Sequence, residues 1–113
     1  MHIIYKNSRL EKELTNLEMV NRRYGSVVAM ILVVRIEFLL SSPNLADPNL
    51  YKKPLLCHQL KGNRSEEFAV RVNPVYRIIF VPADPVVMRK PDNGIDTRLV
   101  STICITELSK HYD

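Results

Sequence analysis

Glu66-Glu67-Phe68-Ala69-Val70-Arg71-Val72-Asn73-Pro74-Val75-Tyr76-Arg77-Ile78-Ile79-Phe80-Val81 decides the fold of this chain. Two runs, Glu66–Val72 and Tyr76–Val81, are rich in β-branched and aromatic residues and flank Asn73-Pro74-Val75, which reads as a turn. The pattern predicts an antiparallel hairpin, and its register can be argued. If Val72 opposes Tyr76, then Phe68, Val70, Val72, Tyr76, Ile78 and Phe80 share one apolar face. Arg71 and Arg77 then lie together on the other face with Ala69 and Ile79. A two-residue loop would instead put Arg77 among the valines and bury a charge without an evident partner. The three-residue loop is therefore expected, with two guanidiniums side by side on one surface.

Outward from the hairpin, Leu55–Leu60 reads as a preceding strand that ends in the turn Lys61-Gly62-Asn63-Arg64-Ser65. Pro82–Asp96 is a polar insertion, Arg98–Thr106 alternates as a last strand, and Leu108–Asp113 reads as a short tail able to fold back. At the other end, His2–Lys6 suits a strand. Ser8-Arg9-Leu10-Glu11 has the form of a capping box, and Leu10, Leu14 and Leu17 follow at helical spacing, predicting a helix from about Ser8 to Tyr24. Gly25 suits its end, and Ser26 would cap a second helix over Val27–Leu40, stopped by Pro43. That second segment is apolar on nearly every side, so a helix there would need cover beyond what one small domain provides. Its β-branched residues leave a strand open as the alternative. The order β-α-α-β-β-β-β predicts an α+β domain over residues 1–113: a curved, mostly antiparallel sheet with a helical hairpin on one face.

A chain of 113 residues, 46% hydrophobic and 25% charged, is ordinary globular material for one core. The opening residues lack the charged-then-apolar order of a signal peptide, and the longest apolar run, Val27–Val34, is far below the ~18 residues of a membrane span. A cytoplasmic protein without membrane association is expected. Cys57 and Cys104 show no metal-ligand spacing, so buried thiols are expected and neither a zinc site nor a cofactor. The formal net charge of +4 equals the excess of residues 52–77 alone, where Lys52, Lys53, Lys61, Arg64, Arg71 and Arg77 face only Glu66 and Glu67. Such a concentration attracts polyanions, nucleic acid first among them.

The turn Cys57-His58-Gln59-Leu60-Lys61-Gly62-Asn63-Arg64, the strand Phe68-Ala69-Val70-Arg71-Val72 and the strand Tyr76-Arg77-Ile78-Ile79-Phe80 resemble the signature of HigB toxins, members of the RelE/ParE toxin superfamily. The opening Ile3-Ile4-Tyr5-Lys6-Asn7 and the ending near His111-Tyr112 extend the resemblance over nearly the whole chain. It implies a RelE-like (microbial RNase-like) fold and a type II toxin: a ribosome-dependent, metal-independent mRNA endoribonuclease in which a ribose 2′-hydroxyl attacks the adjacent phosphate. The implied partners are a HigA-like antitoxin, the ribosome and mRNA, with a homodimer through the apolar segment 27–40 as a further expectation.

Such chemistry needs a base, an acid and cations for the transition state. Arg77 is the first candidate for holding that charge, because its planar fork matches phosphate; the alternative is a structural ion pair with Glu66 or Glu67. Arg71 can share the role. Lys61 and Arg64 flank Gly62 and can grip an RNA backbone, or form an ordinary solvated turn. His58 matches the family histidine and is a candidate acid/base. Strict alternation from His58 puts Lys61 on the opposite face unless the turn has begun by then. HigB chains often end in Asp-Tyr-His, whereas this one ends Lys110-His111-Tyr112-Asp113. His111 remains a candidate acid/base and Tyr112 a stacking residue, against the alternatives of a frayed terminus or a general base supplied elsewhere. Two further readings stand beside the nuclease: a ParE-like gyrase inhibitor, and a catalytically decayed binding module of the same fold.

Overall fold

A computed structural model describes residues 1–110. Its core is the predicted hairpin, strands β3 (Phe68–Arg71) and β4 (Tyr76–Pro82). The register is the three-residue-loop one, with Arg71 opposite Arg77 and Phe68 opposite Phe80. Local chemistry explains it. The Asn73 side chain accepts hydrogen bonds from the backbone N–H groups of Val75 (2.9 Å) and Tyr76 (2.7 Å), closing the turn on itself. Phe68 and Phe80 then stack across the strands with ring centres 5.7 Å apart.

Three further strands complete the sheet: β1 (His2–Tyr5), β2 (His58–Gln59) and β5 (Thr102–Lys110). The order is β1-β5-β4-β3-β2, with every neighbour antiparallel except β1, which runs parallel to β5. The predicted α+β class therefore holds, with two strands displaced. The expected strand Leu55–Leu60 shrinks to two residues, because the backbone turns at Leu56 (φ 46°), and Leu55 keeps one backbone bond to the sheet, its carbonyl accepting from Arg71 N–H. The last strand begins four residues later than expected and absorbs Leu108–Lys110, which continue the ladder instead of folding back. Ahead of it, Asp96 caps a 3-10 turn over Thr97–Leu99 and uses residues assigned to the strand by alternation alone.

The helical layer has three helices where two are expected: α1 (Ser8–Thr15), α2 (Leu17–Tyr24) and α3 (Ser26–Ser41). The first predicted helix breaks at Asn16. Its N–H ends α1 on Lys12, while its side chain accepts from Met19 N at 3.2 Å and starts α2. Asparagine satisfies free helix-end donors well, so it caps where apolar spacing alone would run on. The caps are each one residue earlier than expected: Asn7, not Ser8, caps α1, and Gly25 (φ 90°), not Ser26, precedes α3.

Segment 26–41 is helical, which removes the strand alternative. It buries Ala29, Leu32, Ile36 and Leu39 against the sheet-side core and leaves Val27, Met30, Val34 and Leu40 in solvent. The core lies between the helices and the apolar face of the sheet, where Leu14, Val20, Phe68, Val70, Ile78, Phe80, Ile103 and Ile105 are buried. Cys57 is a buried free thiol, pushed up to about 12 by burial; Cys104 is free and half-buried. No described helix is long and apolar enough to cross a membrane.

Candidate active site

The face of the sheet turned away from the core carries the candidate chemistry. Arg71 and Arg77 are cross-strand partners there, and His58 on β2 stands opposite Ala69, which shares that face of β3. These three side chains line one cleft of about 410 Å³, together with Leu56, Asn73, Pro74 and Tyr76. The bend at Leu56 that shortens β2 thus brings an apolar wall to the cleft and leaves His58 at its rim.

Arg77 is half-buried, and its Nε is shielded from solvent without a hydrogen-bond partner among the described residues. The pairing with Glu66 or Glu67 is not formed. Glu66 is bound by Arg89, and Glu67 by Arg64. Each carboxyl is held below the usual carboxylate range by that guanidinium, and the charge of Arg77 adds a smaller effect at Glu67. Among the described residues no carboxylate lies within ion-pair distance of Arg71 or Arg77. Two cations on neighbouring strands with no carboxylate in ion-pair contact among the described residues make a site for an anion with several acceptor oxygens.

His58 Nδ1 lies 3.1 Å from the carbonyl oxygen of Leu56. A carbonyl can only accept, so Nδ1 carries a proton, and in the neutral ring Nε2 is the nitrogen with the lone pair. The residue is exposed and lines the cleft.

The other expected residues are placed differently. Lys61 is exposed and precedes the 3-10 turn Gly62–Arg64; β2 has already ended at Gln59, so alternation does not carry to it, and it does not line the cleft. Arg64 is committed elsewhere: its guanidinium donates to Glu67 at 2.7 and 2.8 Å and to Glu107 at 2.8 Å, and the two carboxylates hold it more firmly protonated than a free arginine. It ties the turn to β5 and has few donors left for RNA. His111 and Tyr112 lie outside the described residues.

Arg35 on α3 is the residue that sequence reasoning missed. Its Nε donates to Arg71 O at 2.9 Å and its Nη2 to Val72 O at 3.4 Å, pinning the cleft-side end of β3 to the helix. Burial, and then the charge of Arg71, lower its pKa. The signal was present: Arg35 is one of two charges in a segment otherwise almost wholly apolar.

No family model matches the chain, and no curated protein sequence matches it. Solved structures do. A YoeB/ParE toxin from Agrobacterium tumefaciens superposes with a TM-score of 0.58 at 12% identity, covering 99% of this chain and 100% of that one. A YoeB–YefM complex (TM-score 0.56, 11% identity) and a YoeB dimer (0.55, 14%), both from Staphylococcus aureus, each cover 99% of this chain and 98% of theirs. At such identities the likeness is one of fold: three helices on a five-stranded mixed sheet, the α+β architecture of the YoeB/ParE toxins.

Proposed function

We propose that the chain is the toxin of a type II toxin–antitoxin pair and acts as a HigB-type, metal-independent mRNA endoribonuclease on the ribosome. The observation that carries this reading is the convergence of His58, Arg71 and Arg77 in one cleft, where among the described residues no carboxylate is in ion-pair contact with either arginine. A phosphodiester seated there meets two guanidiniums that can follow the charge growing on its oxygens as the 2′-hydroxyl attacks. The free Nε2 of His58 can take a proton from that hydroxyl or, once protonated, give one to the 5′-oxygen that leaves. Lys61, exposed outside the cleft, would meet the flanking backbone, and His111 and Tyr112 would supply the remaining acid/base and stacking groups. A HigA-like antitoxin would neutralise the toxin, and its cytoplasmic targets would be mRNA and the ribosome.

The test is to induce the chain in bacterial cells and map new mRNA 5′ ends by primer extension. Cleavage within translated frames is the expected result. The superposition on a YoeB/ParE toxin gives one competing reading its footing. Growth arrest with intact mRNA and inhibited DNA supercoiling by gyrase would establish that reading instead.

The exposed stripe Val27, Met30, Val34 and Leu40 would serve association, with a second copy when the antitoxin is absent. Met30→Glu, at a position 68% exposed, should leave the fold intact and shift the sedimentation of the isolated protein towards monomer. Wild-type protein that sediments as a monomer at all concentrations would end this idea.

A further inference from the structure

A second cationic notch lies beyond the cleft, where β1 runs into α1. It has a volume of about 250 Å³ and is lined by Lys6, Asn7, Arg9, Leu10, Glu13, Arg23 and Thr106. Three cations surround one carboxylate. Glu13 meets Arg9 at 3.3 Å and Arg23 at 3.5 Å, single long contacts unlike the tight fork on Arg64, so most donors of both guanidiniums remain available. Among the described residues Lys6 has no carboxylate within ion-pair distance.

Aromatic rings connect this notch to the cleft. The Arg23 guanidinium sits over the ring of Tyr24, 5.6 Å from its centre. Tyr24 in turn meets Tyr76 edge-on with ring centres 5.2 Å apart, and Tyr76 lines the cleft beside Arg77. The two contacts together hold Arg23 within about 11 Å of the Tyr76 ring. That is the reach of about three stacked nucleotides at roughly 3.4 Å per base. Both rings are half-buried, packed on the core and in part exposed. Cations beside partly exposed aromatic rings suit a single strand, whose phosphates require charge and whose unpaired bases need a surface to stack on.

We propose that single-stranded RNA held in the cleft continues across Tyr76 and Tyr24 into the notch, where Lys6, Arg9 and Arg23 bind the phosphates of flanking nucleotides. The inference rests on the nuclease reading of the cleft and assigns it an extended strand path. These residues bind the strand and do not touch the reacting atoms.

The test titrates the protein with a dinucleotide and an octanucleotide of adenylate, both 2′-O-methylated to forbid cleavage, by fluorescence anisotropy at several salt concentrations. The octamer should bind about tenfold or more tightly than the dinucleotide at low salt. The triple variant Lys6→Gln, Arg9→Gln, Arg23→Gln should erase most of that ratio and flatten the log–log salt dependence by roughly two, as expected for three lost phosphate contacts at ~0.7 each. Its dinucleotide affinity should stay at the wild-type value, which also shows that the variant folds. A ratio and slope unchanged in the variant would overturn the strand path while leaving the cleft reading intact. If neither oligonucleotide binds and Arg77→Ala changes nothing, the cleft reading fails and the path falls with it.

Discussion

Arg77→Ala should lower the rate of mRNA cleavage by about 10²–10³-fold, the usual loss when one preorganised donor to a developing oxyanion is removed. The expectation combines position and state. Arg77 sits on the central strand of the cleft, opposite Arg71, and its Nε has no hydrogen-bond partner among the described residues. A buried polar atom left unpaired costs roughly 1–3 kcal/mol. Removing it should therefore leave thermal stability unchanged or raise it while activity falls. A merely structural arginine would behave in the opposite way, losing stability and activity together. Arg77→Lys sharpens the comparison, because it keeps the charge and loses the planar fork, so an intermediate rate is expected. The measurement is primer extension at matched soluble protein level, with thermal melts of both variants. Full cleavage by Arg77→Ala would remove the residue from the chemistry.

Phe80→Ala should have the largest effect on stability, about 3–5 kcal/mol by urea denaturation. Phe80 is fully buried on β4, stacked on Phe68, and touches the core shared by sheet and helices. A small domain is stable by only ~5–15 kcal/mol, so the variant should be largely unfolded at modest urea concentrations. Val86→Ala, on an exposed side chain of the insertion, is the control and should move the midpoint hardly at all. A loss at Phe80 below about 1 kcal/mol would mean that the sheet–helix interface can repack around the cavity.

The parts legible in the sequence are those governed by neighbours along the chain. The β3–β4 register follows from alternation and from Asn73, and both signals lie within a dozen residues of each other. The paired arginines were legible for the same reason. The break at Asn16 was not, because helical spacing continues through it and only the cap chemistry interrupts. The shortened β2 was hidden by an apolar run, Leu55-Leu56-Cys57, whose first residues are buried or half-buried off the sheet. Arg64 looked like an RNA contact because its partner Glu107 lies 43 residues away, out of reach of any spacing argument. The tether from Arg35 to β3 spans 36 residues and escaped for the same reason.

The parallel pairing of β1 with β5 also governs when the molecule takes shape. His2 waits for Thr102, and β4 receives its second flank only from that same last strand. Contacts so far apart along the chain slow folding, because the loop must close before the pairing rewards it. At roughly 5–20 residues per second of synthesis, the first strand spends about 5–20 s without its partner. Arg77 meets Arg71 early, within the local hairpin, but gains its second flanking strand only when Ser109 has been made. On the toxin reading proposed above, the sheet that carries the cleft would be completed only as its last strand is made, which would give an antitoxin those seconds in which to find the toxin.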